Sequence, residues 1–185
     1  QAAAFDFVLS KTPGPAATNL SSSRVVDDVA KKFGQQCHRS AVGEINVVKK
    51  MQETGAVIGG EGNGGIINPD LHYGRDALVG VAMILQLLAE RDVSAAEYRR
   101  SLPDYFMRKA KMQLNGIDGD AVLEKTKEVF ADQKPDTADG VKIDFEDGWV
   151  HLRKSNTEPI IRVYSEGTTP ERAAELAEEV TAAIK

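Results

Sequence analysis

A short polar segment near the end of the chain carries the side chains best suited to binding a phosphate. It runs from Arg153 to Pro159, and Arg162 lies just beyond it. Arginine offers paired planar N–H donors that match phosphate oxygens, and Ser and Thr hydroxyls can each donate once. Composition alone leaves two interpretations equally open: an anion-binding loop, or a polar surface loop whose arginines form ion pairs. The candidate ligands are Arg153, Ser155, Asn156, Thr157 and Arg162.

A glycine-rich segment, residues 59–65, is the second candidate. Its glycines allow a ligand to approach the backbone and leave Glu61 and Asn63 accessible. The segment follows a predicted strand, the position at which open α/β sheets bind ligands, and a carboxylate and an amide suit sugar hydroxyls. It does not match the spacing of a P-loop or a dinucleotide-binding motif. The alternative is a flexible turn without a ligand.

Short apolar strands and amphipathic helices alternate around the glycine-rich segment. We predict helices that start at the serines 21–23, at Val42 or Gly43, and at Asp76, and a strand over residues 56–58. The apolar residues 77–88 predict a buried helix that is too short to cross a bilayer. This alternation is typical of an α/β domain with a mostly parallel sheet. The residues expected to face inward in the first two helices are Val25, Val26, Val29, Phe33, Ile45, Val48 and Met51.

The rest of the chain has a different pattern. A capping box at Ser94 and a break at Pro103 precede a predicted strand over residues 105–114. Alternating apolar residues flank the hairpin signal Asp147-Gly148, and Thr169-Pro170 opens a final helix. We predict a smaller α+β domain with an antiparallel sheet and two helices. The predicted domains are residues 1–102 and 103–185, with a boundary between Asp92 and Pro103.

Several other residues have simple structural interpretations. Asp118 or Asp120 is expected to cap a helix, and the pair is not expected to bind a metal ion. Trp149 is expected to be a packing residue, and Cys37 a buried, unreactive thiol. We expect His72 and Tyr73 to brace the glycine-rich segment. The residues expected on a solvent-facing side of a strand are Lys109, Lys111 and His151.

Charge and cysteine content narrow the possible partners. The chain has 23 basic and 28 acidic residues, a net charge of −5, which argues against a nucleic-acid or membrane-surface partner. A single cysteine excludes an internal disulfide and fits a reducing, cytoplasmic compartment. The start at Gln1 lacks an initiator Met and a secretory signal, and this predicts a fragment or a processed piece.

Together, three motifs resemble the α-D-phosphohexomutases, the superfamily of phosphoglucomutase, phosphomannomutase and phosphoglucosamine mutase. They are the glycine-rich segment 59–65, the sequence His72-Tyr73-Gly74-Arg75-Asp76, and residues 153–162. The resemblance covers essentially the whole chain as the third and fourth domains of a four-domain enzyme. The resemblance is specific because the three motifs occur together, in this order and at this distance from one another.

The resemblance implies a role for each motif residue. Glu61 and Asn63 would contact sugar hydroxyls, with Arg39 and Glu44 from a further loop of the cleft. Some relatives have His or Asp at the position of Glu44. The phosphate of a hexose phosphate would be held by Arg153, Ser155, Asn156, Thr157 and Arg162.

The resemblance also implies what the chain lacks. In the family, a phosphoserine gives its phosphate to the substrate, and the resulting bisphosphate turns around and returns the other phosphate. No Ser-His-Asn-Pro segment for this nucleophile occurs here, and Asp118-Gly119-Asp120 lacks the remainder of the family's Mg²⁺ loop. Catalytic residues and Mg²⁺ would therefore belong to missing N-terminal domains, and this chain alone is predicted to be inactive.

Two other functions remain open from the sequence. One is a stand-alone, non-catalytic sugar-phosphate-binding module, and the other is a protein-interaction module whose loops bind no ligand. Within the leading interpretation, glucosamine, mannose and glucose phosphates are all possible substrates. The Gly-Glu-Gly-Asn-Gly-Gly form of the glycine-rich segment slightly favours glucosamine or mannose phosphates.

Overall fold

A computed structural model describes residues 1–155 and 157–184 of the chain. The described residues form two compact units, residues 1–103 and 104–185. Each unit has its own sheet and its own apolar core. Within the described part of the chain, no helix has both the length and the apolar character needed to cross a membrane. Asn156, one of the predicted phosphate ligands, lies outside the described residues.

The first unit is an α/β domain, as the sequence predicts. Its four-stranded sheet has the order β2-β1-β3-β4, in which β1 runs parallel to β2 and β3, and β4 is antiparallel to β3. The strands are β1 (Ala16–Asn19), β2 (Cys37–Ser40), β3 (Ile58–Gly60) and β4 (Ile66–Ile67). The helices are α1 (Ala2–Lys11), α2 (Val25–Lys32), α3 (Glu44–Thr54), α4 (Ala77–Arg91) and α5 (Ala95–Ser101).

Three helices of the first unit differ from the sequence prediction. Helix α1, which buries Phe5 and Leu9, was not predicted, and the residue before it, Gln1, makes no side-chain cap hydrogen bond. Helix α2 begins after Arg24 without a side-chain cap, so the prediction that serines cap it is wrong. Ile45 is 63% exposed, because α3 turns Val47, Val48 and Met51 inward instead. Strand β3 starts at Ile58, two residues later than predicted.

Helix α4 is also more exposed than predicted. Asp76 caps it by accepting hydrogen bonds from the backbone N–H groups of Leu78 and Val79, at 2.9 and 3.0 Å. Only Gly80, Met83 and Leu87 are fully buried. The prediction that the whole apolar stretch is buried is wrong, because an apolar stretch of a helix has two sides and the first unit covers one of them.

The second unit has the predicted α+β architecture. Its sheet is antiparallel throughout, with the order β5-β8-β7-β6. The strands are β5 (Phe106–Gln113), β6 (Val141–Phe145), β7 (Gly148–Lys154) and β8 (Ile160–Gly167). The helices are α6 (Gly119–Val129) and α7 (Pro170–Ala183), and a short 3-10 helix covers Ala131–Gln133. Alternate apolar residues of the strands pack with Leu176, Ala177 and Val180 of α7 to form the core.

The capping and packing predictions for the second unit are confirmed, with one exception. Asp118 caps α6, and Trp149 is fully buried with its indole N–H donated to Glu166 Oε1 at 2.8 Å. His151, however, is buried, and its Nε2 lies 2.6 Å from the carbonyl oxygen of Asp139. The solvent-facing prediction for His151 fails because β7 is an interior strand that is buried on both faces. Burial lowers the pKa of His151.

Candidate functional site

The carboxyl ends of three parallel strands bring the polar residues of the first unit together. Thr18 of β1 lies between Arg39 of β2 and Gly60 of β3 in the strand register. The residues that follow these strands therefore emerge at one edge of the sheet, where open α/β sheets place their ligands. This edge holds the predicted sugar-binding residues Arg39, Glu44, Glu61 and Asn63.

Glu61 is buried and held in one orientation by the backbone and by side chains. Its Oε1 accepts hydrogen bonds from Asn19 Nδ2 at 2.8 Å and from the Gly43 N–H at 3.1 Å. Its Oε2 lies 3.5 Å from Arg75 Nη1. A buried carboxylate is costly unless it is paired and hydrogen-bonded, and Glu61 meets both conditions. It is a fixed acceptor at the end of β3.

Arg39 holds the segment that follows β1. Its Nη1 donates to the carbonyl oxygens of Asn19 and Ser22 at 2.9 and 2.7 Å, and its Nη2 donates to the Ser23 carbonyl oxygen at 3.2 Å. Nη2 also pairs with the carboxylate of Asp27. These bonds commit much of the guanidinium to the protein, so the geometry favours a positioning role for Arg39 beside the glycine-rich segment.

Arg75 connects two of the predicted ligands. Glu44 accepts hydrogen bonds from the backbone N–H of Arg75 at 2.8 Å and from its Nε at 2.9 Å. These two hydrogen bonds lower the pKa of Glu44. Because Arg75 also pairs with Glu61, it joins α3 to the glycine-rich segment. Neither Arg75 nor Asn19 was assigned a role from the sequence, because only the folded chain shows that they meet Glu61.

Asn63 remains exposed at the tip of the glycine-rich segment. Its Oδ1 accepts a hydrogen bond from the Gly65 N–H at 3.2 Å, and the Glu61 N–H donates to the Gly65 carbonyl oxygen at 2.9 Å. A Cβ at Gly60 would lie 2.4 Å from the same carbonyl oxygen, so this close turn requires glycine. His72 braces the next segment, since its Nε2 lies 3.3 Å from Oδ2 of Asp76, the cap of α4.

In the second unit, β7 and β8 place the two arginines of the polar segment directly opposite each other. Arg153 and Arg162 are cross-strand neighbours and therefore lie on the same face of the sheet. Arg153 Nη1 lies 3.3 Å from Asp139 Oδ2, and Arg162 Nη2 lies 3.7 Å from Glu158 Oε2. Both ion pairs are partly exposed, so solvent and a dissolved anion can reach the two guanidinium groups.

Ser155 lies between these arginines and the turn. Its backbone N–H donates to the Ile160 carbonyl oxygen at 3.0 Å and closes the turn. Its Oγ is 3.5 Å from Arg162 Nη2, 3.4 Å from the Thr157 backbone N and 3.5 Å from Thr157 Oγ1. Contacts of this length are weak hydrogen bonds. Hydroxyl, amide and guanidinium donors thus converge on one place without satisfying one another well.

A third cation, Lys111 of β5, extends this pair. The register places Lys111 opposite Arg162, which is itself opposite Arg153. We call Lys111, Arg162 and Arg153 the cationic row. Like charges directly opposite each other destabilise a sheet, and a bound anion would relieve that repulsion. Lys111 is solvent-exposed, as predicted, but no local sequence signal connects it with the arginines.

The acidic residues of the chain do not form a metal site in the described structure. Asp118 Oδ1 accepts the backbone N–H of Asp120 at 3.0 Å, and Asp120 Oδ2 pairs with Lys154 Nζ at 2.5 Å. Among residues 1–155 and 157–184, no group of three or more His, Cys, Asp or Glu side chains is arranged to hold a metal ion.

Comparison with family models decides the relationship that the motifs suggest. Residues 2–106 match the model described as "Phosphoglucomutase/phosphomannomutase, alpha/beta/alpha domain III", and residues 108–183 match "Phosphoglucomutase/phosphomannomutase, C-terminal domain". The chain belongs to this family. The resemblance to the α-D-phosphohexomutases is thus confirmed over nearly the whole length of the described residues.

Individual members of the phosphoglucomutase/phosphomannomutase family show the same relationship. The chain is 40% identical over 167 residues to a phosphoglucomutase/phosphomannomutase of Thermococcus kodakarensis, which covers 89% of the chain and 36% of the relative. It is 35% identical over 173 residues to a probable phosphoglucosamine mutase of Methanopyrus kandleri, 91% of the chain and 38% of the relative. The chain therefore spans well under half the length of these relatives.

A solved structure supports the fold of this family member. A phosphoglucomutase/phosphomannomutase family protein from Burkholderia thailandensis superimposes with a TM-score of 0.78 at 26% identity. The match covers 98% of this chain and 39% of that protein. The α/β domain followed by an antiparallel α+β domain is therefore the arrangement of family domain III and the C-terminal domain.

Proposed function

We propose that this chain is the substrate-holding part of a phosphohexomutase that interconverts hexose 1-phosphate and hexose 6-phosphate. The cationic row is the observation that carries this proposal. Two arginines on one face, with Ser155 next to Arg162 on the side of the turn and Lys111 opposite Arg162, offer charge and directional donors to a phosphate. Family membership supports the class of reaction, and the two relatives are named as a phosphoglucomutase/phosphomannomutase and a probable phosphoglucosamine mutase.

The phosphate would be held by the donors of the second unit. In this proposal Arg153 and Arg162 provide paired guanidinium donors, and Ser155 and Thr157 donate their hydroxyls. Asn156 completes the set by its place in the motif. The reaction passes through a hexose bisphosphate, and each of its two phosphates must occupy this site in turn. A site that binds the phosphate group and not one particular carbon of the sugar meets this requirement.

The sugar would be bound and selected by the first unit. Glu61 presents a carboxylate whose position is fixed by Asn19, Gly43 and Arg75, and Asn63 offers an exposed amide. A fixed acceptor discriminates between hydroxyl or amino donors better than a mobile one does, because its orientation needs no ordering on binding. Glu44 and Arg39 act in this proposal at the rim of the same edge. Glucosamine and mannose phosphates are the substrates that we propose first.

The reacting groups would lie outside this chain. The sequence has neither the phosphoserine segment nor the Mg²⁺ loop of the family. In the parent enzyme, the nucleophile and Mg²⁺ would belong to the domains that precede domain III. The contribution of this chain is to bind and orient the substrate for a phosphoryl transfer that occurs elsewhere.

The proposal predicts binding without turnover. In calorimetric titrations, the chain should bind glucosamine 6-phosphate or mannose 6-phosphate weakly, and a coupled assay should detect no mutase activity. The full-length parent should convert the same sugar phosphates. Turnover by the chain alone would contradict the proposal. Binding by the chain combined with an inactive parent would instead favour a non-catalytic sugar-phosphate module.

Lys111 provides a graded test of the cationic row. We expect Lys111→Met to weaken phosphate binding about threefold at low ionic strength and less at high ionic strength, because an exposed charge is screened by salt. Lys109→Met is the matched control. Lys109 lies two residues away on the same face of β5, but its ammonium lies 5.3 Å from the centre of the Tyr164 ring instead of opposite an arginine. Equal effects of the two substitutions would remove Lys111 from the site.

A further inference from the structure

Helix α4 is apolar on two opposite sides. Its first nine residues, from Ala77 to Leu85, include no polar side chain. One side buries Gly80, Met83 and Leu87 in the first unit. A Cβ at Gly80 would lie 2.9 Å from Ile66 Cγ1, so the helix packs closely on β4 at that side. A surface helix normally carries polar residues opposite such a stripe.

The opposite side of α4 carries large apolar residues that are exposed instead. Leu78 is 81% exposed, Val81 is 53% exposed and Leu85 is 62% exposed. Their spacing of three and four residues places them on one side of the helix, together with Ala82 and Ala89. We call Leu78, Val81, Ala82, Leu85 and Ala89 the outer stripe of α4. It carries no charged side chain over about three turns of the helix.

An apolar surface of this kind is typical of a covered interface. Monomeric proteins rarely leave a contiguous row of large apolar side chains in water, and a helix that is apolar all round is normally buried. The polar residues of α4 are Gln86, Glu90 and Arg91, all in its last two turns. The stripe therefore fits an apolar partner surface rather than a charged ligand.

The family comparisons indicate which partner this is. The first unit matches a model described as domain III, and the chain spans 36–38% of the two relatives described above. In those relatives, most of the polypeptide therefore lies outside the matched region. We propose that the outer stripe of α4 is the surface against which the preceding domains, I and II, pack in the parent enzyme. This inference rests on the proposed function only in assuming that such a parent exists.

Thiol labelling can test this interface in the intact parent and in the chain. Leu85→Cys and Ile45→Cys introduce single thiols at residues of nearly equal exposure, 62% and 63%. The native thiol gives little background, because burial raises the pKa of Cys37 to about 12 and keeps it protonated. Peptide mapping after labelling separates the engineered thiols from any others in the parent.

The expected result is protection at one position only. Leu85→Cys should react at least tenfold more slowly in the parent than in the 185-residue chain, whereas Ile45→Cys should react at similar rates in both. Equal rates for Leu85→Cys in the two proteins would overturn the proposal. So would a Leu85→Cys rate that falls with increasing concentration of the chain alone, because a second copy would then cover the stripe.

A separate measurement distinguishes this proposal from the proposed function. Phosphate binding by the chain and its Leu85→Cys variant is measured in parallel with glucosamine 6-phosphate. Protection of Leu85→Cys without any phosphate binding would support the interface and contradict the substrate-holding role. Unchanged phosphate binding without protection of Leu85→Cys in the parent would support the substrate-holding role and contradict the interface.

Discussion

Replacing Arg162 with methionine should weaken the binding of a hexose phosphate by the chain roughly 10- to 100-fold, the effect expected for the loss of a charged hydrogen-bond donor. Arg162 occupies the middle of the cationic row, between Lys111 and Arg153, and its Nη2 lies 3.5 Å from Ser155 Oγ. Methionine retains much of the apolar stem, so the substitution mainly removes charge and donors. Calorimetric titration with glucosamine 6-phosphate and with inorganic phosphate measures the loss.

Arg108→Met is the matched control for this substitution. Arg108 belongs to β5 of the same sheet, but it lies opposite Ser165 rather than in the cationic row, and it pairs with Glu178 at 3.2 Å. Its loss should leave phosphate affinity unchanged. An Arg162→Met variant that binds phosphate as well as the unmodified chain would contradict the proposed site.

The melting temperature of Arg162→Met without ligand tests the role of Arg162 independently of phosphate binding. If the arginines are ion-pairing surface residues, removing one of them should leave stability unchanged or lower it. If they are held together for a ligand, removing one should relieve the repulsion between cross-strand cations. We therefore expect the melting temperature without ligand to rise, while the stabilisation by added phosphate falls.

Local sequence signals predicted much of this molecule correctly. The capping residues Asp76, Ser94, Asp118 and Thr169 each accept a hydrogen bond from the first turn of a helix. A cap needs only a short polar side chain next to a helical pattern, so it can be found without knowledge of the fold. The two candidate binding segments could also be recognised from the sequence, because each lies within ten residues of chain.

Features that depend on distant residues were not predicted. The opposition of Lys111 and Arg162 follows from strand register, and residues 51 positions apart give no local indication of it. The partners of Glu61 come from three other segments, at Asn19, Gly43 and Arg75. Ile45 shows the same limit, since an apolar residue in the first turn of a helix can face either way. Tertiary packing decides between these alternatives.

One buried carboxylate ties four helices of the first unit together. Asp6 of α1 is 1% exposed. Arg91 of α4 donates to both of its oxygens at 2.7 Å, and the Tyr98 hydroxyl of α5 donates at 2.8 Å. Lys32 of α2 lies 3.4 Å from Oδ1. The carboxylate therefore has a paired arginine and enough donors to offset the cost of its burial.

Asp6→Ala should lower the free energy of unfolding of the first unit by about 3–5 kcal/mol. The reason is that removing one partner of a buried ion pair leaves the charge of the other partner uncompensated. Hydrogen exchange of α1 and α4 measures the effect where it occurs. Fluorescence of Trp149, the single tryptophan, follows the second unit and should change less. Glu90→Gln is the control, since Glu90 also joins α4 to α1, through Lys11 at 2.8 Å, but in an exposed pair. Equal effects of the two substitutions would contradict the central role of Asp6.

The contribution of the Asp6 carboxylate to the free energy of unfolding should disappear at acidic pH. Burial by itself raises the pKa of the Asp6 carboxyl, but the hydrogen bonds from Arg91 and Tyr98 and the charges of Lys32 and Arg91 outweigh it and hold the pKa below its ordinary value of 3.8. A carboxyl whose pKa is lower in the folded state than in the unfolded state stabilises the fold above the unfolded pKa, and this stabilisation is lost as pH falls through the folded pKa. The difference in unfolding free energy between the unmodified chain and Asp6→Asn should therefore be constant near neutral pH and shrink below about pH 4. A difference that stayed constant down to pH 2 would contradict a stabilising role for the charge of Asp6.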